Sequence, residues 1–194
     1  MTTTSSPSDT DLLRQLRSGA ADAFAALYRR HQGPLYRFAL LRCGSAGTAA
    51  DVVQETFMGL LTGRFAYDPL RGQLQHFLFG VARNLVLKQE APQRQAALPA
   101  NGDDDEDEPD VAASDACPLA RLLEHEAAEE VRRALALLAP HYRDVVILYE
   151  MHGLSYAEIA AICQVDIGTV RSRLSRGRAA LAKRLAGWRS ASTV

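Results

Sequence analysis

A group of cationic and hydroxyl-bearing residues between Gly153 and Arg184 has the chemistry needed to contact DNA. Arginines such as Arg171 and Arg176 can bind phosphates or the O6 and N7 acceptors of guanine. Small residues such as Ser172 and Ser175 allow a helix backbone to approach base edges in the major groove. No large apolar residue interrupts this face, so it is predicted to be exposed.

Two short helices are predicted to position these side chains. Ser155 and Glu158 have the spacing of a capping box, which predicts a helix beginning at Tyr156. Gln164 and Val165 end this helix, and Asp166 is a predicted cap for the next one. The second helix carries an apolar stripe of Val170, Leu174, Gly177, Leu181 and Leu185. Two helices joined by a tight turn make a helix-turn-helix.

The positive charge is local to this part of the chain. Residues 164–194 contain seven basic side chains and one acid, whereas the whole chain of 194 residues has a net charge of −1. Such clustering is typical of an electrostatic footprint on DNA. The alternative is a solvated basic helix on an ordinary all-α protein.

The N-terminal half is predicted to be a separate helical domain, residues 9–90, after a disordered lead at 1–8. Leucines at helical spacing follow Asp9, and a second helix begins at Asp22. Pro34 falls inside that helix and predicts a kink or an interruption. Thr48 and Asp51 resemble a second capping box, which places the start of the third helix there.

Two features of this half are open to different interpretations. Asp51, Gln54 and Glu55 form a polar ridge that is most simply a solvated helix face. Arginines and aromatics alternate across the following loop and helix, a pattern that suits single-stranded nucleic acid, although the spacing alone favours an aromatic core. The residues concerned are Arg64, Phe65, Tyr67, Arg71, Phe77, Phe79, Arg83, Asn84 and Lys88.

An acidic segment separates the two halves. Residues 91–119 contain four prolines and a run of seven acids between Asp103 and Asp110. This composition predicts a disordered, extended linker. A second helical domain is predicted at 120–188, followed by a tail at 189–194. Since no strand-period segment occurs, the fold class is all-α with two small helical domains.

Composition narrows the remaining possibilities. No run approaches the roughly 18 apolar residues that span a bilayer, so a cytoplasmic location without membrane insertion is expected. Cys43, Cys117 and Cys163 are widely spaced and odd in number, which argues against a disulfide framework. A zinc site of Cys163 with His141 and His152 lacks the usual ligand spacing. We therefore expect no metal, no cofactor and no catalytic residues.

Two stretches of the chain resemble one known family, the extracytoplasmic-function (ECF) sigma factors of bacterial RNA polymerase. The first runs through FAALYRRHQGPLYRFALL, DVVQETF and FAYDPLRGQLQHFLFGVARN and resembles sigma region 2. The second, LAPHYRDVVILYEMHGLSYAEIAAICQVDIGTVRSRLSRGRAALAKRL, resembles region 4. The resemblance covers nearly everything except the lead, the linker and the tail.

The resemblance implies a role for each group of residues. Asp51, Gln54 and Glu55 would dock on the clamp helices of the polymerase β′ subunit, and region 4 on the β flap. The minus-10 promoter element would be bound by Phe65, Tyr67, Arg71, Phe77, Arg83 and Asn84. The minus-35 element would be read by Thr169, Arg171, Ser172, Ser175 and Arg176. The expected partners are core RNA polymerase, promoter DNA and an anti-sigma factor, and the acidic linker would pass near the polymerase active site.

The chain departs from the family pattern in two places. The family usually has Phe-x-x-Trp-Leu after the loop, where this chain has Leu74, Phe77 and Leu78. A phenylalanine is smaller but still offers a stacking face for a captured base. Ser175 stands where a larger or more polar residue is common, which leaves the minus-35 preference open.

The function expected from these observations is promoter recognition and promoter melting together with core polymerase. The alternative is a stand-alone helix-turn-helix regulator, which would give a palindromic footprint without polymerase. A nucleic-acid-modifying enzyme is a third class. It finds no support in the sequence, because no metal motif or activated nucleophile is present.

Overall fold

The described parts of the chain are helical. The computed structural model describes residues 7–96 and 128–191. Its helices are α1 (Asp9–Arg17), α2 (Ala21–Cys43), α3 (Ala46–Leu61), α4 (Leu74–Ala96), α5 (128–136), α6 (Pro140–Val146), α7 (Tyr156–Cys163) and α8 (Ile167–Ala191). A 3-10 turn, Pro69–Arg71, precedes α4, and a π turn, Ile147–Met151, follows α6. No strand occurs in these two ranges, and the all-α prediction is confirmed.

Helices α1 to α4 form an N-terminal bundle around α2. Leu27, Leu35 and Phe38 on α2 are almost completely buried, as are Phe57 on α3 and Phe79 on α4. The interruption predicted at Pro34 does not occur, because α2 is one continuous helix of 23 residues. Buried side chains lie on both sides of the proline and pack into the same core. Tertiary packing therefore outweighs the local tendency of proline to interrupt a helix.

Two helix ends differ from the sequence expectation. The N-cap of α3 is Ser45, whose hydroxyl accepts a hydrogen bond from the Thr48 N–H at 3.3 Å. Thr48 is thus the bonded residue and not the cap, and the predicted capping box there is wrong. Helix α4 continues past the predicted end at Lys88 to Ala96. The rest of the predicted linker, the first part of 120–188 and the ends of the chain lie outside the described residues.

Helices α5 to α8 form the C-terminal group, which contains the predicted helix-turn-helix. Its core includes Leu135, Ile147, Leu148, Ile159 and Val170, each fully buried. Helix α6 was expected to run from His141 to His152, but its last part widens into the π turn. Gly153, with φ +65°, then reverses the chain before α7.

The N-terminal bundle and the C-terminal group pack against each other. Helices α2 and α4 on one side meet α6, the π turn and α7 on the other. We call this contact the seam. Because the seam covers part of α4, it bears directly on the candidate binding surface described below.

Gly177 marks the closest approach between α6 and α8. A Cβ atom there would lie 2.7 Å from Val146 Cγ2 and 3.4 Å from Tyr142 Cβ. Val146 is 1% exposed and cannot swing into solvent. In contrast, a Cβ on Gly168 of the same helix would meet nothing within 4 Å.

We predict that Gly177→Ala destabilises the protein, by about 1–3 kcal/mol as is typical of an overpacked core. The matched change Gly168→Ala should be neutral or stabilising, by up to about 1 kcal/mol, because alanine favours helix over glycine. Urea unfolding followed by circular dichroism measures both. Equal midpoints for the two variants would contradict the close packing of α6 on α8.

Candidate nucleic-acid and protein interfaces

The helix-turn-helix has the local geometry that its sequence predicts. Ser155 donates its N–H to Glu158 Oε2 at 2.7 Å, while the Glu158 N–H reaches the serine hydroxyl at 3.4 Å. These bonds from Ser155 lower the pKa of Glu158. Gln164 ends α7 in the left-handed conformation, with φ 57°. The turn thereby directs α8 across α7.

The outer face of α8 is exposed and positively charged. Arg171, Ser172, Ser175 and Arg176 are exposed, and Thr169 is half-buried at the edge of the face. Val170 and Leu174 are buried on the inner side. The predicted minus-35 residues therefore share one accessible face.

Arg178 on the same helix has a different environment. Its Nε donates to Glu150 Oε1 at 2.5 Å, and its guanidinium lies 4.7 Å from the centroid of the Tyr149 ring. Both partners belong to the π turn of the C-terminal group. Arg178 thus connects α8 to the π turn, whereas Arg171 and Arg176 form no ion pair with an acid of residues 7–96 or 128–191.

The predicted polymerase ridge borders an open groove on α3. Asp51 and Gln54 are exposed, and Glu55 accepts a hydrogen bond from Arg64 at 2.9 Å. The groove, of about 480 Å³, is lined by Asp51, Gln54, Glu55, Met58, Gly59, Thr62 and Arg64. Met58 is 50% exposed. It adds an apolar contact that the sequence pattern did not single out.

Four of the six predicted minus-10 residues surround a second groove, of about 380 Å³, between the 66–73 loop and α4. They are Tyr67, Arg71, Phe77 and Asn84. The Tyr67 and Phe77 rings lie 5.4 Å apart between centroids, and the Tyr67 hydroxyl donates to the Gly72 carbonyl at 2.7 Å. Two adjacent aromatic rings beside an exposed arginine offer both stacking and charge to a single strand.

The other two predicted minus-10 residues lie elsewhere. The Phe65 ring packs against α3, where a Cβ on Gly59 would come within 2.2 Å of it. Arg83 turns toward the seam and donates from Nε to Asp144 Oδ2 at 2.7 Å. The structure therefore does not bring Phe65 and Arg83 to the same groove as the other four.

A buried ionic network at the seam was missed by the sequence analysis. Asp144 is 1% exposed and bridges Arg83 and the fully buried Arg42, which also binds Glu90. Burial opposes the charge of Arg42, but Glu90 and Asp144 outweigh it and raise its pKa. The sequence does contain one sign of this network: Arg42 continues the apolar stripe of Leu35 and Phe38, which indicates a buried arginine.

Arg143 ties the two halves together through backbone oxygens. Its guanidinium donates to the Arg42 carbonyl at 2.7 Å and to the Leu138 carbonyl at 3.0 Å. Burial and the nearby Arg42 charge lower the pKa of Arg143. One side chain thus caps the end of α2 and the end of the α5 segment together.

One part of the seam is aromatic, and it contains a titratable side chain, His152. Its ring lies 4.6 Å from Phe79 and 6.3 Å from Phe38 between centroids. Nε2 is buried and has no hydrogen-bond partner among the described residues. Burial, with a contribution from Arg37, lowers the pKa of His152 to about 4.

Both halves match models of known families. Residues 27–91 match Sigma-70 region 2, and residues 128–181 match Sigma-70, region 4. No described helix is long and apolar enough to cross a membrane. The fold and the exposed helix-turn-helix therefore define a helical DNA-binding protein of the sigma-70 class.

Curated relatives identify the subfamily. The chain is 34% identical to the ECF RNA polymerase sigma factor SigE of Mycolicibacterium smegmatis over 86% of its own length and 63% of that protein. It is 32% identical to SigM of Mycobacterium tuberculosis, with 92% and 85% covered. SigW of Bacillus subtilis is 25% identical, with 89% and 94% covered. The chain belongs to the ECF RNA polymerase sigma factors.

Two solved structures share this fold. CnrH, in complex with the cytosolic domain of CnrY, superposes with a TM-score of 0.66 at 25% identity, over 93% of this chain and 99% of that one. RpoE of Bartonella quintana, bound to the anti-sigma factor NepR, gives a TM-score of 0.65 at 26% identity, over 84% and 96%. The predicted family and its two-domain helical fold are confirmed.

The seam should weaken as the pH falls below 6.5. His152 has a lower pKa in the closed protein than the ordinary 6.5, so the open or unfolded form takes up the proton first. The loss of stability caused by His152 begins below pH 6.5 and grows until about pH 4. Linkage gives roughly 2 kcal/mol at pH 5 relative to pH 8.

We predict that His152→Phe removes this part of the pH dependence, because phenylalanine fits between the two rings and carries no titratable group. Urea unfolding of wild type and variant from pH 8 to pH 5 measures the difference. If the free energy of unfolding fell equally with pH in both proteins, His152 would not be the source of this pH dependence. Both proteins retain His31 and the carboxylates, so the contributions of these groups cancel in the difference between wild type and variant.

Proposed function

We propose that this protein directs core RNA polymerase to promoters through three surfaces and has no catalytic chemistry of its own. The α3 ridge docks on the polymerase β′ clamp helices, the groove beside α4 holds the minus-10 strand, and the face of α8 reads the minus-35 element. The proposal rests on the separation of these surfaces: the ridge and the face of α8 each gather the residues expected for their partner, and the groove beside α4 gathers four of its six expected residues. The protein acts where polymerase is, in the cytoplasm.

Promoter melting on this scheme is driven by binding energy. Stacking of a base on an aromatic ring is worth roughly 1–3 kcal/mol, similar to the cost of unstacking it from the duplex. The Tyr67 and Phe77 rings supply the stacking surfaces, and Arg71, with its side chain 87% exposed, supplies charge for the backbone. Capture of a base therefore offsets about the cost of unstacking that same base.

A protein inhibitor is a further proposed partner. The Bartonella RpoE is bound to the anti-sigma factor NepR, and CnrH is in complex with the cytosolic domain of CnrY. Met58 lines the groove on α3 and is 50% exposed, and Leu70, in the 3-10 turn before α4, is 95% exposed. An anti-sigma factor that covered either groove would block the proposed function directly.

We predict that the double variant Gln54→Ala, Glu55→Ala loses most of its binding to bacterial core polymerase, by tenfold or more, as expected for central interface residues. Pull-down on immobilised core enzyme measures the affinity. The matched control is Gln15→Ala, Asp22→Ala, which removes an exposed amide and acid from α1 and α2. Equal binding by both double variants would place the docking surface elsewhere.

We predict that Arg171→Ala and Arg176→Ala each weaken binding of the reconstituted holoenzyme to a promoter selected by the wild type from a random library. Loss of a phosphate contact should reduce the salt dependence by about one unit of slope. Loss of a guanine contact should instead relax preference at one position of the minus-35 element.

Footprinting and binding titrations at several salt concentrations distinguish these two outcomes. Arg14→Ala, an exposed arginine of α1 paired with Asp11, is the control for lost positive charge. An unchanged minus-35 footprint with both α8 variants would contradict the proposed reading face.

A further inference from the structure

A glycine inside α4 forms part of the groove beside Tyr67 and Phe77. Gly80 lines this groove together with Phe77, about one turn earlier, and Asn84, about one turn later. Residues three and four apart are neighbours on one face of a helix, so these three residues face the groove in a row. A Cβ atom on Gly80 would have no atom from another part of the described chain within 4 Å. The α4 backbone is therefore bare at this point, with open space beside it.

No feature of the described residues requires glycine at position 80. It lies well inside α4, so it caps neither end of the helix, and it does not have a positive φ. Gly59 and Gly177 differ, since a Cβ on these residues would lie 2.2 Å and 2.7 Å from a packed side chain. Glycine in a helix interior destabilises a protein relative to alanine. Gly80 thus lowers stability without a packing reason inside the protein, which favours a role in binding.

The chemistry around Gly80 suits the flat face of a nucleobase. Inside a helix the backbone N–H and C=O groups bond to each other, so position 80 offers no free donor to a phosphate. Its neighbours in the groove include the Phe77 ring and the half-buried Val81. The exposed Arg71, in the loop, is the cation for the strand backbone. Apolar surface on α4 and charge on the loop match the bases and phosphates of a single strand.

We propose that a base of the minus-10 strand packs directly on the α4 backbone at Gly80, and that the missing side chain makes the groove deep enough for it. This inference rests on the minus-10 role proposed above for the groove. The contact is separate from stacking on Tyr67 and Phe77, because it uses main-chain atoms. Gly80 thereby lowers the stability of the fold and raises the affinity for the open strand.

The variant Gly80→Ala separates these two effects. Alanine favours a helix and fits the open space, so the midpoint of urea unfolding of the free protein should rise. Holoenzyme reconstituted with this variant should bind the minus-10 strand about fivefold or more weakly than wild-type holoenzyme. Gly80→Leu should weaken this binding further. Fluorescence anisotropy of a labelled single-stranded oligonucleotide, taken from the selected promoter, measures the affinity.

Gln89→Leu is the matched control for an added apolar side chain on α4. At about 100° per residue, Gln89 lies on the opposite side of the helix from Gly80, and it is exposed. It should change the affinity for the oligonucleotide by less than about twofold. Pull-down on immobilised core polymerase should give equal affinity for wild type and all three variants, so that the loss lies in strand binding and not in docking.

An abasic scan of the oligonucleotide tests for direct contact. Each nucleotide of the minus-10 strand is replaced in turn by one that lacks its base, and the affinity is measured with wild-type and Gly80→Leu holoenzyme. Removal of the base that packs on Gly80 should weaken binding by wild type. The same removal should restore about threefold or more of the affinity lost by Gly80→Leu, because the leucine fills the space of the missing base.

Unchanged oligonucleotide affinity in Gly80→Ala and Gly80→Leu overturns the inference, as does a scan in which no position restores binding to Gly80→Leu. A lower urea midpoint for Gly80→Ala overturns the open space at this position. If wild-type holoenzyme binds the minus-10 strand no more tightly than a scrambled strand, the proposed function of the groove falls. If it binds specifically and position 80 has no effect, the sigma role stands and only the contact at Gly80 falls.

Discussion

The burial of one carboxylate, Asp144, constrains the arrangement of both halves of this protein. A buried charge without a partner costs several kcal/mol, so Asp144 requires the two arginines that reach it from α2 and α4. Arg42 is fully buried and comes from a position 102 residues earlier in the chain. The ionic network thereby fixes which faces of the bundle and the C-terminal group meet. The aromatic contact of His152 then follows from that docking.

Much of the fold could be predicted because its signals are local. The capping box at Ser155 and Glu158, the apolar stripe of α8 and the glycine after the π turn each act within a few residues. One error arose where a longer-range interaction wins: Pro34 does not break α2, since buried residues on both sides share one core. The other error is local, because Ser45, three residues before Thr48, accepts the hydrogen bond from the Thr48 N–H and is the cap of α3.

The candidate surfaces were predictable to different degrees for the same reason. The face of α8 follows from helical periodicity alone, so Arg171, Ser172, Ser175 and Arg176 fall together. The groove of Tyr67 and Phe77 depends on how the loop folds back on α4, which spacing does not reveal. Arg83 was grouped with that groove by resemblance, but its orientation depends on Asp144, 61 residues away in the chain.

The contacts of the seam combine two kinds of stabilisation. Inside each half, leucine, valine and phenylalanine bury surfaces whose exposure to water costs about 25 cal/mol per Å². The seam shares this term, because the His152 ring packs on the buried Phe38 and Phe79. It adds the ionic network of Arg42, Arg83 and Asp144. Apolar burial is not directional, whereas a buried carboxylate must meet its arginines, so the ionic network determines which faces of the two halves pack together.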